Sequence, residues 1–116
     1  MKNSGHKELI VWNKAMDLTT EIYSLTKQFP KEELYNLTSQ IRRAAVSIPS
    51  NIAEGRKRGT DNEFKYFLSI AFGSGAELET QLELAKRLGF LKPVTANKAD
   101  NLLEEVMKML NKMTSL

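Results

Sequence analysis

The sequence predicts an all-α protein, folded as an antiparallel up-down-up-down four-helix bundle. Three observations carry that expectation. Apolar residues recur at alternating spacings of three and four along four long stretches, a period that suits one face of a helix and that a strand cannot use. Pro30, Gly55, Gly59, Gly89 and Pro93 fall between those stretches, with no tight hairpin signal among them. The length of 116 residues supports one core and not two, and connections of a few residues force neighbouring helices to run antiparallel. The expected domain is the whole chain, 1–116, with helices near 9–28, 31–55, 61–88 and 95–114.

The first helix carries Val11, Ala15, Leu18, Ile22, Leu25 and Phe29 in one stripe. The second is expected to start with Pro30 in its first turn, where a missing N–H costs nothing, and with Glu32 and Glu33 against the positive helix end. Its seam is Leu34, Leu37, Ile41, Ala44, Ile48 and Ile52. Pro49 interrupts this helix in sequence, removing a backbone bond and crowding the carbonyl of Ala45, so a kink is expected there with helix resuming through Asn51 to Glu54.

Residues Gly55 to Gly59 read as a turn, and Thr60 to Glu63 as a capping box that opens the third helix near Asp61. That helix carries Phe64, Leu68, Ala71, Gly75, Leu78, Leu82 and Ala85, with Gly89 placed for a left-handed C-terminal cap. The Gly73-Ser74-Gly75 element lacks the Lys-Ser/Thr of a phosphate loop and lies within a helical period, so close packing by another helix is its expected role. The fourth helix follows Pro93 and a possible N-cap at Thr95, with Ala99, Leu103, Val106, Leu110 and Met113 on its seam. Ile10, Trp12, Phe67, Ile70, Phe72, Leu102 and Met109 exceed what one narrow seam needs. They fit either a wide core stripe or self-association, for which Trp12, Phe67, Ile70 and Phe72 are the candidate interface residues.

Composition narrows the chemistry. With no cysteine and one histidine, disulfides, thiolate metal sites and imidazole clusters are excluded, and no metal or cofactor is expected. His6 lies in a polar segment expected to be frayed. The glutamates read as a solvated acidic face, because adjacent ones diverge on a helix and only Glu79/Glu83 share a side. No apolar run approaches the ~20 residues of a membrane span, and the N-terminus lacks a signal-peptide core, so a soluble cytoplasmic protein without catalytic activity is expected.

Charge is distributed unevenly. The net charge is only +3, but residues 1–60 hold ten Lys/Arg against six Asp/Glu, whereas residues 61–116 hold seven against eight. Arg42 and Arg43 precede Pro49, and Arg56, Lys57 and Arg58 follow Glu54. On one helix, positions 42 and 56 would present similar faces ~21 Å apart. These five residues are candidates for contacting RNA or DNA phosphates. They fit equally a second set of roles, with Arg56 to Arg58 complementing the helix C-terminus and Arg42 or Arg43 pairing with a bundle carboxylate. No aromatic ladder is interleaved with them in sequence, which argues against a dedicated single-strand reader.

The run from Leu34 through Gln40-Ile41-Arg42-Arg43-Ala44-Ala45 and Ile48-Pro49-Ser50-Asn51-Ile52-Ala53-Glu54-Gly55 resembles the signature of the four-helix bundle proteins encoded in 23S rRNA intervening sequences. Val11 to Ala15, Phe67 to Ala71 and Gly73 to Glu79 resemble the same family, so that the likeness covers about residues 8–115. Where the family commonly has Gly-Ser-Leu this chain has Gly73-Ser74-Gly75, a departure expected to loosen the third helix. The resemblance implies a homopentameric ring with no established catalysis. It extends to the accessory variability determinant of diversity-generating retroelements, a bundle that associates with a reverse transcriptase and nucleic acid. Asn51 and Glu54, carried over from the signature, are binding candidates or partners in a hydrogen-bond network with an arginine at the bend. Two functions are therefore expected to compete: an oligomeric bundle that binds the backbone of RNA or DNA, and an adaptor that recruits a protein such as a reverse transcriptase.

Overall fold

A computed structural model of the chain describes residues 5–115. Four α-helices form the bundle: α1 (Ile10–Thr26), α2 (Leu37–Arg58), α3 (Asp61–Arg87) and α4 (Asn97–Thr114). Polar contacts fix their directions. Arg42 near the start of α2 reaches Thr26 at the end of α1, Ser47 meets Ser74 on α3, Lys86 near the end of α3 pairs with Asp100 near the start of α4, and Lys14 on α1 pairs with Glu105 on α4. Each helix thus runs antiparallel to the next, and α4 closes the square against α1. The bundle measures 49 × 24 × 20 Å.

The seams meet in a single core. Val11, Ala15, Leu18 and Ile22 of α1 face Ile41, Ala44, Ile48 and Ile52 of α2, with Leu68, Ala71, Leu78, Leu82 and Ala85 of α3 and Ala99, Leu103, Val106 and Leu110 of α4 completing it. At one end Phe29 packs on Phe90 with ring centroids 5.9 Å apart, joining the loop after α1 to the loop after α3.

The N-terminal segment is more ordered than its polarity suggests. Residues His6–Glu8 form a single 3-10 turn, and the Asn13 side-chain amide donates to the carbonyls of Lys7 and Leu9, both at 3.0 Å. His6 is not frayed: it stands edge-on to Trp12 at 5.0 Å, because Asn13 folds the preceding turn back onto α1.

The second helix begins later than Pro30. Lys31–Glu33 is a separate 3-10 turn, and Asn36, at φ −128° and ψ −107°, breaks the path before Leu37. Leu34 is consequently outside the core, 43% exposed. Glu33 still serves the helix end, since its carboxylate accepts from the Leu37 N–H at 3.3 Å.

α2 stays helical across the buried Pro49. The carbonyl left without its helical donor is that of Ala45, and the Thr19 hydroxyl of α1 lies 3.1 Å from it, as well as 2.8 Å from its own Ala15 carbonyl. A neighbouring helix thereby offers the bond that proline removes.

Gly55 does not end α2. It is buried within the helix, where an added Cβ would sit 2.7 Å from Phe67 Cβ, so glycine is required for the approach of α3. The turn is made by Gly59 alone, in the left-handed region at φ 93°, and Arg56, Lys57 and Arg58 form the last helical turn. Thr60 then caps α3, its Oγ1 accepting from the Glu63 N–H at 3.2 Å. The Glu63 carboxylate returns to the Thr60 hydroxyl at 3.0 Å and not to the backbone amide expected of a capping box. At the other end the Phe90 N–H bonds the Ala85 carbonyl and the Gly89 N–H that of Lys86, a Schellman closure with Gly89 at φ 80°. Thr95 is not an N-cap, because Val94–Ala96 is a 3-10 turn that seats Ala96 in the core before α4 starts.

Candidate nucleic-acid interface

The five candidate cations all lie on α2, near its two ends. At the first end, Arg42 Nε donates to Thr26 Oγ1 at 2.8 Å, and the Thr26 hydroxyl donates in turn to the Ile22 carbonyl at 2.8 Å. The guanidinium carbon lies 4.7 Å from the centre of the Tyr23 ring. Arg42 is thus held by a hydroxyl and an aromatic face on α1, and among the described residues no carboxylate pairs with it or with the exposed Arg43. The carboxylate pairing left open by the sequence is absent there.

At the far end, Arg56 lies over Phe64 at 5.5 Å and Arg58 over Phe67 at 4.9 Å. Arg58 also bonds Glu54 at 2.8 Å and approaches Glu63 at 3.9 Å. Lys57 is exposed and forms no ion pair among the described residues. Both ends therefore set arginines on aromatic rings, and at the far end Arg58 is also paired with acids.

Asn51 and Glu54 do not share a network. Asn51 Nδ2 donates to the Ser47 carbonyl at 2.8 Å and lies 2.9 Å from the Ser47 hydroxyl, which is 2.7 Å from that of Ser74. Ser47, held by Asn51, thus ties α2 to the Gly73-Ser74-Gly75 element, whereas Glu54 turns toward Arg58. Gly75 is crossed by the Met107 side chain of α4, whereas beyond the adjoining residues and backbone of its own helix no described residue comes within 4 Å of where a Cβ of Gly73 would be.

The candidate interface hydrophobics are dispersed. Trp12 sits at the start of α1 against His6, Phe67 lies under Arg58, and Ile70 is exposed on α3. Phe72 lines an open groove of about 1050 Å³ between α3 and α4, together with Leu84, Leu103 and Met107.

Sequence order conceals the aromatic partners. Tyr23 and the 92% exposed Tyr35 share a second groove, of about 430 Å³, with Arg42 and Arg43. Tyr23 belongs to another helix and Tyr35 to the connection before α2, so no spacing rule within the basic segment finds them.

Among the described residues no three acidic or histidine side chains gather as a metal site, and no helix is long and apolar enough to cross a membrane. Glu83 pairs with Arg87, Glu104 with Lys108 and Glu105 with Lys14.

A crystal structure of a protein of unknown function from the S23 ribosomal protein family of Bacteroides thetaiotaomicron shares this fold. The TM-score is 0.84 at 25% sequence identity, covering 92% of this chain and 100% of that one. No curated protein matches the chain. The pattern of the 23S rRNA-intervening sequence proteins matches residues 7–112, across all four helices, and the chain belongs to that family.

Proposed function

We propose that this protein is a non-enzymatic homo-oligomeric bundle of the cytoplasm that binds RNA or DNA through the phosphate backbone along α2. The observation that carries the reading is the pair of exposed cations, Arg43 and Lys57, which no described carboxylate neutralises, on a helix whose other arginines are held in place by rings. Fourteen residues separate the two, ~21 Å along the helix and within ~40° in phase, so one strand can meet both. Repetition of this face around a ring, of five subunits as the family resemblance implies, would turn weak sites into avid ones. Ile70, with Trp12, Phe67 and Phe72, supplies candidate subunit contacts.

The test is salt-dependent binding of a labelled RNA and a labelled DNA duplex. The Arg43→Glu/Lys57→Glu variant is expected to flatten the log–log salt dependence by about two units, since each phosphate contact contributes ~0.9. Unchanged affinity and slope in that variant overturn the reading.

A second reading, recruitment of a protein partner such as a reverse transcriptase, is favoured by the groove between α3 and α4, whose apolar floor is rimmed by Glu79, Glu83, Lys86 and Lys108. A partner retained after complete nuclease digestion supports recruitment, and one lost with the nucleic acid supports the first reading.

A further inference from the structure

The groove at the first end of α2 joins two features that a phosphate-binding surface alone does not need. One is a pair of tyrosine rings. Tyr35 is 92% exposed in a connection that gives it no core to pack on, and Tyr23, 41% exposed with the Arg42 guanidinium 4.7 Å from its ring centre, lines the same groove. The other is charge without compensation, since among the described residues no acidic side chain lines the groove and both arginines do. Arg42 uses Nε on Thr26, which leaves its two terminal nitrogens without a hydrogen bond among the described residues and fixes the plane from which they project. Leu34 and Val46, 43% and 40% exposed, make the remaining walls apolar. A volume of about 430 Å³ falls within the ~300–1,000 Å³ of small-ligand sites.

A planar, apolar-faced group that carries an anion meets all of these demands at once. A duplex does not, because its bases are stacked on one another and present no free face.

We propose that this groove takes an unpaired nucleotide of a nucleic-acid strand, its base stacked on the tyrosine side and its phosphate held by Arg42 and Arg43. The proposal rests on the nucleic-acid reading above and adds to it a preference for single-stranded segments. Stacking uses a face that every base has, so the site selects strandedness over sequence.

The test is fluorescence anisotropy on the full chain with labelled oligonucleotides of about ten residues. The probes are single-stranded RNA, single-stranded DNA, a duplex, and an abasic phosphodiester strand of equal charge. Single strands are expected to bind more tightly than the duplex, and the abasic strand more weakly than the single strands. Tyr35→Ala is expected to lower single-strand affinity about fivefold to a hundredfold while leaving the duplex unchanged, and Tyr35→Phe to restore it. Because the Tyr35 side chain has no core contact to lose, the alanine variant keeps the fold. If RNA and DNA both respond to Tyr35, the base face is the common determinant, and the tighter of the two identifies the strand. Equal binding of abasic and normal strands, with Tyr35→Ala inert, overturns the stacking site and leaves the phosphate reading intact. Binding of no probe by the wild-type chain overturns both.

Discussion

At the first end of α2, Arg42 meets a hydroxyl and a tyrosine face and Arg43 meets solvent, whereas at the far end Arg58 is bonded to Glu54 at 2.8 Å and faces Glu63 at 3.9 Å. The far end has the denser run of positive residues in sequence and the weaker claim to an anionic ligand in space. Its cations complement the negative end of the helix dipole and brace the close crossing of α2 and α3 at Gly55. The first end lacks that structural use for its charge: Arg42 sits a turn and a half into the helix, where no dipole attracts it, and among the described residues no acid lines its groove. Cations that read alike along the chain are separated by what the neighbouring helices bring to them.

The far end depends on backbone proximity, and Gly55→Ala tests that most severely. Its Cβ would stand 2.7 Å from Phe67 Cβ and 3.2 Å from the Phe64 carbonyl, neither of which is the free end of a flexible chain. Overpacking of this kind costs about 1–3 kcal/mol, offset by the ~1 kcal/mol that alanine gains over glycine in a helix. A net loss of up to about 2 kcal/mol is expected, read as a lower urea midpoint with an unchanged slope. A midpoint equal to that of the wild type would show that α3 can retreat freely, and that Arg56 and Arg58 owe nothing to a fixed ring geometry.

The first end depends instead on one hydroxyl. Thr26→Val keeps the shape of a buried side chain but removes the acceptor for Arg42 Nε, at an expected cost of about 1 kcal/mol. The more telling readout is the Arg42 Nε–H in a proton–nitrogen spectrum, which should lose its distinct, slowly exchanging signal in the variant. An unchanged signal would mean that the Tyr23 ring alone orients the guanidinium.

The same contrast explains what the sequence discloses and what it conceals. The core seams follow from spacing alone, because Val11, Ala15, Leu18 and Ile22, or Leu103, Val106 and Leu110, are buried for the periodic reason that betrays them. Glycine was the misleading signal. Gly55 and Gly59 both read as breaks, yet one is demanded by a crossing helix and the other by a positive φ, and only the second is a local property. Pro30 misled in the same way, since it opens a 3-10 turn and Asn36 resets the backbone before α2 begins. At the candidate interface the arginines are evident in the sequence, but Tyr23, Phe64 and Phe67 reach them from other helices, through contacts that no one-dimensional pattern contains.

Glu54→Gln has the smallest effect on stability and sharpens the comparison most directly. The Glu54–Arg58 pair is about half exposed on both sides, so its loss should move stability by no more than about 0.5 kcal/mol. Glutamine retains an oxygen that can accept from Arg58, which keeps the side chain near its present position. What changes is the charge, and the far end then resembles the first, with one acid fewer between Arg43 and Lys57. If the two ends differ only in neutralisation, nucleic-acid affinity should rise about twofold to fivefold, as expected from removing one repulsive charge several ångströms from a phosphate in a water-like medium. The gain should shrink with added salt, because it is Coulombic. An affinity that does not move, in a variant whose stability is also unmoved, would assign Arg56 to Arg58 entirely to the α2–α3 crossing. Nucleic-acid contact would then rest on Arg42 and Arg43, beside their tyrosines.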